Sequence, residues 1–330
     1  MTFRFLPSSF ASFAGALTLA ALSFTASAKA DQAVNFAWSP NPQTPQVDVA
    51  MAKGYFKEAG LDLNIVSFPS GREGFEALIG GQVDFAFMAE FPAVTGALTG
   101  QKFGVVADLA RYTGSRIIGS SKYSELKSPA DLKGLKIGTT LGTNVDYYLS
   151  EVLKSAGVSA EVINASPVDL VPSLVKGDIQ AAVLFPTFYA QAEKALGDDY
   201  RELRAPGYQV HYIVAASQNA LDGKKDMVEA FLGALVKADA DVKADPKAAM
   251  EAVAANMKGA MDVEGLQAMW KDVDLGITLD DNLLALLVSE GDWIVSKGVI
   301  KAEAPTSETI RPYLVDAPLK AVSPAAVKLP

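Results

Sequence analysis

"KIGTTLGTNVDYYLSEVL", residues 136–153, passes from a short β-branched stretch through a Gly-Thr-Asn turn into a helical pattern. Lys136 to Leu141 has the composition of a strand, Gly142 turns the chain, and Val145 to Leu153 spaces its apolar residues for a helix. Thr143 and Asn144 are the candidate N-caps, because their side-chain oxygens accept from the first free backbone amides. Such a corner leaves unpaired N–H groups and a partial positive charge at the helix start, a place suited to an anion.

The same grammar runs outward in both directions. "AVNFAW" (33–38) reads as a strand, "SPNPQTP" (39–45) as a loop and "QVDVAMAKGYFKEAG" (46–60) as a helix. "LDLNIVSF" (61–68), "VDFAFMA" (83–89) and "FGVVADL" (103–109) continue as strands, with a helix over Phe75–Ile79. A second half repeats the alternation in "LKIGTT" (135–140), "AEVINA" (160–165) and "QAAVLF" (180–185). Strands alternating with helices imply parallel βαβ units, whose ligands sit at the carboxyl ends of the strands. In the first half those ends are the loops at Ser39, Ser70 and Met88. Two extended apolar segments, near 116–121 and 208–217, are expected to cross between the halves and form a hinge. The expected fold is therefore α/β, with two lobes, a hinge of two crossing segments and a central cleft. Lobe 1 takes residues 31–115 and 218–330, and lobe 2 takes 116–217. Helical patterns over 227–244, 262–273 and 279–298 should brace lobe 1, and the proline-rich tail should lie on the surface with little regular structure.

Residues 1–30 read as a secretory leader. Arg4 precedes the apolar run "FASFAGALTLAALSF" (10–24) and the small-residue stretch "TASAKA" (25–30). Cleavage is expected after Ala28 or Ala30. The chain has no cysteine, hence no disulfide and no lipid-bearing residue after the leader. Without Arg4 and Lys29 the 29 basic residues become 27 against 38 acidic ones, an acidic balance that argues against a nucleic-acid partner.

Enzyme chemistry finds few carriers. With no cysteine and one histidine, His211, Cys–His dyads are excluded and a serine triad would depend on that single side chain. His211 sits on an apolar strand and reads as a packed, hydrogen-bonded residue. No metal-ligand spacing or phosphate loop occurs, so no metal or cofactor is expected. Arg72, Arg111 and Arg116 lie near strand ends, and Arg72, in a cleft loop, is the best candidate to grip an anion. Trp38, Phe91, Phe185, Phe188 and Tyr212 cluster at strand ends, where they can flank a solute or pack the core.

"AMAKGYFKEAGLDLNIVSFPSGREGFEALIGGQVDFAFMAEFPAV" (50–94), "SPADLKGLKIGTTLGTNVDYYL" (128–149) and "DIQAAVLFPTFYA" (178–190) together resemble type II periplasmic solute-binding proteins of ABC importers. Within that group the resemblance is to the branch serving sulfonates, taurine and nitrate. It implies a cleft lined by Ser39, Asn41 and Gln43, by Ser70, Gly71 and Arg72, and by Met88, Ala89 and Glu90. From the second half it implies Gly142, Thr143, Asn144, Phe185 and Thr187, with Tyr212 added from the aromatic cluster. Relatives that take sulfonates tend to carry histidine at the position of Asp146, so Asp146 and Glu90 here suggest a ligand with an ammonium, such as taurine. Nitrate, a small carboxylate and an aromatic acid are the alternatives, and a secreted enzyme on the same scaffold is the alternative class. The resemblance further implies a periplasmic monomer that delivers its small solute to an inner-membrane permease.

Overall fold

The computed structural model describes residues 1–3 and 32–329. The leader expected over residues 1–30 falls, but for its first three residues, outside that range. The first run of elements is β1 (Gln32–Ala37), α1 (Pro45–Ala52), α2 (Tyr55–Glu58), β2 (Leu61–Val66), α3 (Gly71–Ile79), β3 (Phe85–Ala89), α4 (Phe91–Leu98) and β4 (Phe103–Tyr112). The second is β5 (Ile117–Ser120), β6 (Lys136–Thr139), α5 (Asn144–Ala156), β7 (Glu161–Asn164), α6 (Pro167–Lys176), β8 (Ala181–Val183), α7 (Tyr189–Leu196) and β9 (Tyr200–Leu203). The chain returns through β10 (Val210–Ser217) to α8 (Gln218–Gly223), α9 (Lys225–Ala244), α10 (Pro246–Met257), α11 (Val263–Met269), β11 (Val273–Asp280) and α12 (Asp281–Ser296). It ends with α13 (Ser307–Ile310), α14 (Ala317–Val322) and β12 (Val327–Lys328).

These strands make two sheets, of order β12-β11-β4-β10-β3-β1-β2 and β7-β6-β8-β5-β9. The α/β alternation appears as expected, with β1 parallel to β2 and β3, and β6 parallel to β7 and β8. The crossings lie elsewhere than expected. Ile117–Ser120 is a strand of the smaller sheet and Val210–Ser217 a strand of the larger, so the chain passes between sheets at 113–116 and 204–209. The reason is burial. All eight residues of β10 are buried, and a backbone without water must pair on both sides. It does so antiparallel to β3 and β4, because the chain re-enters the larger sheet at the cleft end, where Tyr212 meets Ala89 and Val210 meets Tyr112.

The expected 46–60 helix breaks in two at Gly54, whose φ of 71° is open to glycine and costly for other residues. The sequence reading leaves out several elements, β9, α10 and β11 among them. The tail is also more ordered than its composition suggests, with Leu314 and Leu319 buried and the Val315 amide donating to the Val105 carbonyl at 2.8 Å. The C-terminal helices brace the larger sheet. Phe231 of α9 stacks on Phe85 at 4.1 Å and meets Phe36 edge-on at 5.1 Å. Burying such a ring contributes roughly 1.5–3 kcal/mol.

Candidate functional site

The strand ends and the loops that follow them enclose a cleft of about 760 Å³. From the larger sheet come Trp38, Ser39 and Asn41 after β1, Phe68, Ser70, Gly71 and Arg72 after β2, and Phe87, Met88 and Ala89 in β3. Thr143 and Asn144 enter at the start of α5, and Phe185, Thr187 and Phe188 after β8. Tyr212 of β10 stacks on Phe87 with ring centroids 5.9 Å apart.

Local chemistry fixes these loops. The Ser70 amide donates to Glu73 Oε2 at 2.8 Å in a capping box that starts α3, and the Ser39 hydroxyl donates to the Phe68 carbonyl at 3.1 Å. Gly71 lies so near β3 that a Cβ there would stand 2.7 Å from Met88 Cβ and 2.9 Å from its Cα. Gly71→Val should therefore push α3 off the sheet and cost about 1–3 kcal/mol, read as a lower urea midpoint.

Three features decide what the cleft can hold. Six aromatic residues line it: Trp38, Phe68, Phe87, Phe185, Phe188 and Tyr212. Among the described residues its charged lining is Arg72, Lys194 and Lys258, with no carboxylate. Two buried polar atoms of the lining also have no hydrogen-bond partner among the described residues, the indole N–H of Trp38 and Nε of Arg72, and Asn144 beside them is 4 % exposed.

Twelve of the residues expected at the site line this cleft, and four do not. Gln43 is fully buried, because the Asn41 carboxamide accepts its backbone N–H at 2.9 Å and turns the chain inward, where its side chain meets Met269 Sδ at 3.2 Å. Glu90 is fully buried behind the wall, accepting the Tyr208 hydroxyl and the His211 backbone N–H. Gly142 and Asp146 line a second groove, of about 1030 Å³, between α3, α4, α5 and the end of α12. There Asp146 caps its own turn, accepting the Gly142 N–H at 3.0 Å. Burial raises the Asp146 pKa, and that hydrogen bond opposes the rise.

The other arginines and the histidine are structural. Arg111 grips Asp274 through Nε and Nη2 at 3.1 and 2.8 Å, and Arg116 pairs with Glu202 at 2.7 Å. His211 Nδ1 lies 2.7 Å from Asp108 Oδ2, both groups buried. Phe91 lies in the second groove. Sequence reasoning missed Phe68, Phe87 and Lys194 and, entirely, the 256–260 turn at the end of α10. The signal was present in Asp245-Pro246, an N-cap followed by an N1 proline.

A cleft enclosed by two α/β sheets, with the chain crossing twice between them, is the architecture of periplasmic binding proteins. Residues 41–249 match the family described as NMT1/THI5 like, and the chain belongs to that family. A putative thiamine biosynthesis protein of Haemophilus influenzae is 28% identical over 244 residues, covering 71% of this chain and 76% of that one. The periplasmic aliphatic sulphonate binding protein SsuA of Escherichia coli aligns with a TM-score of 0.69 at 18% identity, over 86% of this chain and 97% of that one. DSZB in complex with biphenyl-2-sulfinic acid aligns at 0.66 and 16% identity, over 88% of this chain and 99% of that one. Among the described residues no helix is long and apolar enough to cross a membrane.

Proposed function

We propose that this protein is the periplasmic solute-capturing component of an ABC importer, and that its solute is a flat aromatic ring bearing a sulfonate or carboxylate. The observation that carries the reading is the lining itself: six aromatic residues and three cations, with no carboxylate among the described residues. Aromatic walls offer π faces to a ring, and the cations and amide donors suit its anionic end. An ammonium finds no carboxylate there, since Glu90 and Asp146 lie elsewhere, so the taurine reading loses its receptor. The sulfinic acid held by DSZB is the same kind of solute on a related scaffold. The solute is handed to the membrane permease unchanged. His211, the one side chain on which a serine triad could depend, is engaged with Asp108 and absent from the cleft lining.

A thermal-shift screen tests the reading. Benzenesulfonate or benzoate at a hundred times its dissociation constant should add about 2.7 kcal/mol of stability. Taurine and nitrate at equal concentration should add little, and chromatography should return every solute chemically intact. A shift with taurine alone, or the appearance of a product, would remove it. Asn144→Leu should weaken benzenesulfonate binding by about 1–3 kcal/mol in calorimetry, through loss of a buried donor to the anion.

A further inference from the structure

We propose that Asp48 sets the hydrogen-bonding polarity that Asn256 offers to the cleft, so that an anionic solute is held more tightly when Asp48 is neutral. The inference rests on the cleft being the solute site. Asp48, on α1, is fully buried. Its Oδ1 accepts from Asn256 Nδ2 at 2.8 Å, and its Oδ2 has no protein partner among the described residues. Asn256 stands on the last turn of α10 and lines the cleft, beside Lys258 at a φ of 51° and Gly259 at 86°. The carboxamide therefore bridges a sequestered acid and the solute space.

The chemistry follows from donor and acceptor counts. An ionised carboxylate can only accept, so it holds the NH2 of Asn256 inward and leaves the carbonyl Oδ1 for the cleft. A neutral carboxyl can also donate. Its O–H can bond to Asn256 Oδ1 once the amide turns over, which leaves the NH2 for the cleft. An anion is repelled by the first arrangement and bonded by the second.

Burial raises the Asp48 pKa to about 7, with the Asn256 hydrogen bond pulling the other way. Several charged groups of the helices packed on α1 pair with groups other than Asp48, Glu58 of α2 with Lys237 among them. On α9, Asp239 is held by Gln46 and Lys243, and Asp241 by Lys53 and Tyr55. On α10, Lys247 lies 3.9 Å from Glu251. Asn256 is the one side chain that bonds to Asp48 among the described residues.

The test uses benzenesulfonate, whose charge is constant between pH 6 and 8.5, and the ligand-free NMR signals of the Asn256 side-chain amide. We expect those signals to titrate near neutrality in the unmodified protein and to stay flat in Asp48→Asn. We expect benzenesulfonate to bind about three- to tenfold more weakly at pH 8.5 than at pH 6, a dependence absent in both Asp48→Asn and Asn256→Leu. A flat Asn256 signal, or the same pH dependence in all three proteins, would overturn the proposal. If benzenesulfonate binds at neither pH, the aromatic-acid reading fails, and the amide titration alone decides for or against the Asp48 switch.

Discussion

Replacing His211 with alanine should destabilise the protein by about 3–5 kcal/mol, while the folded fraction keeps its affinity for solute. The imidazole sits 2.7 Å from Asp108, which is completely buried and, among the described residues, has only Arg111, at 3.8 Å, as a second cation. Removing one partner of such a pair strands the other charge without water. Burial pulls the His211 pKa down, but the hydrogen bond and charge of Asp108 outweigh it, so the value is raised above 6.5. For Asp108 burial acts the other way and raises the pKa, against the lowering pull of His211. Linkage fixes the sign: the stability supplied by the imidazolium is fully present below pH 6.5 and is lost as pH climbs through the raised value. Urea midpoints taken upward from pH 6 should fall for the unmodified protein over that interval. A midpoint unchanged by His211→Ala would show that the pair contributes nothing.

Trp38→Ala should weaken benzenesulfonate binding by about 2–4 kcal/mol, roughly thirty- to a thousandfold. Trp38 follows β1 directly, is 5 % exposed and lines the cleft, and its indole N–H has no protein partner among the described residues. The change removes an aromatic wall and a free donor together. Trp38→Phe separates them, keeping a ring and losing the donor, and should cost about 1 kcal/mol. Phe188→Ala tests the opposite wall, where the half-buried ring is less tied to the core. Calorimetry on folded variants decides the matter, and wild-type affinity in Trp38→Ala would take that wall out of the site.

Much of the fold was legible because its signals are local. The strand–Gly142–helix corner is written within a few residues; the Gly54 break and the Ser70–Glu73 capping box are equally local, yet the sequence reading carries one helix across the first and a loop over the second. The crossings were not, because an apolar extended segment reads alike as a linker and as a buried strand. Only pairing on both sides, which β10 finds with β3 and β4, tells them apart. The same limit applies to the site. Loops that follow strands could be placed, so Ser39, Ser70 to Arg72, Met88 and Asn144 reach the cleft. Direction within a loop could not. Glu90 turns into the core and Asp146 back onto its own turn, and those two carboxylates had carried the zwitterion reading. Asn256 was invisible for a third reason, since it reaches the cleft only through the packing of α10 on α1.

The most direct test of the central claim is a calorimetric titration of the purified protein with benzenesulfonate, repeated at two temperatures. The account predicts one saturable site per chain and a negative heat-capacity change from apolar burial, with no displacement by excess taurine. Saturable binding of taurine or nitrate, with no heat from any aromatic acid, would contradict it.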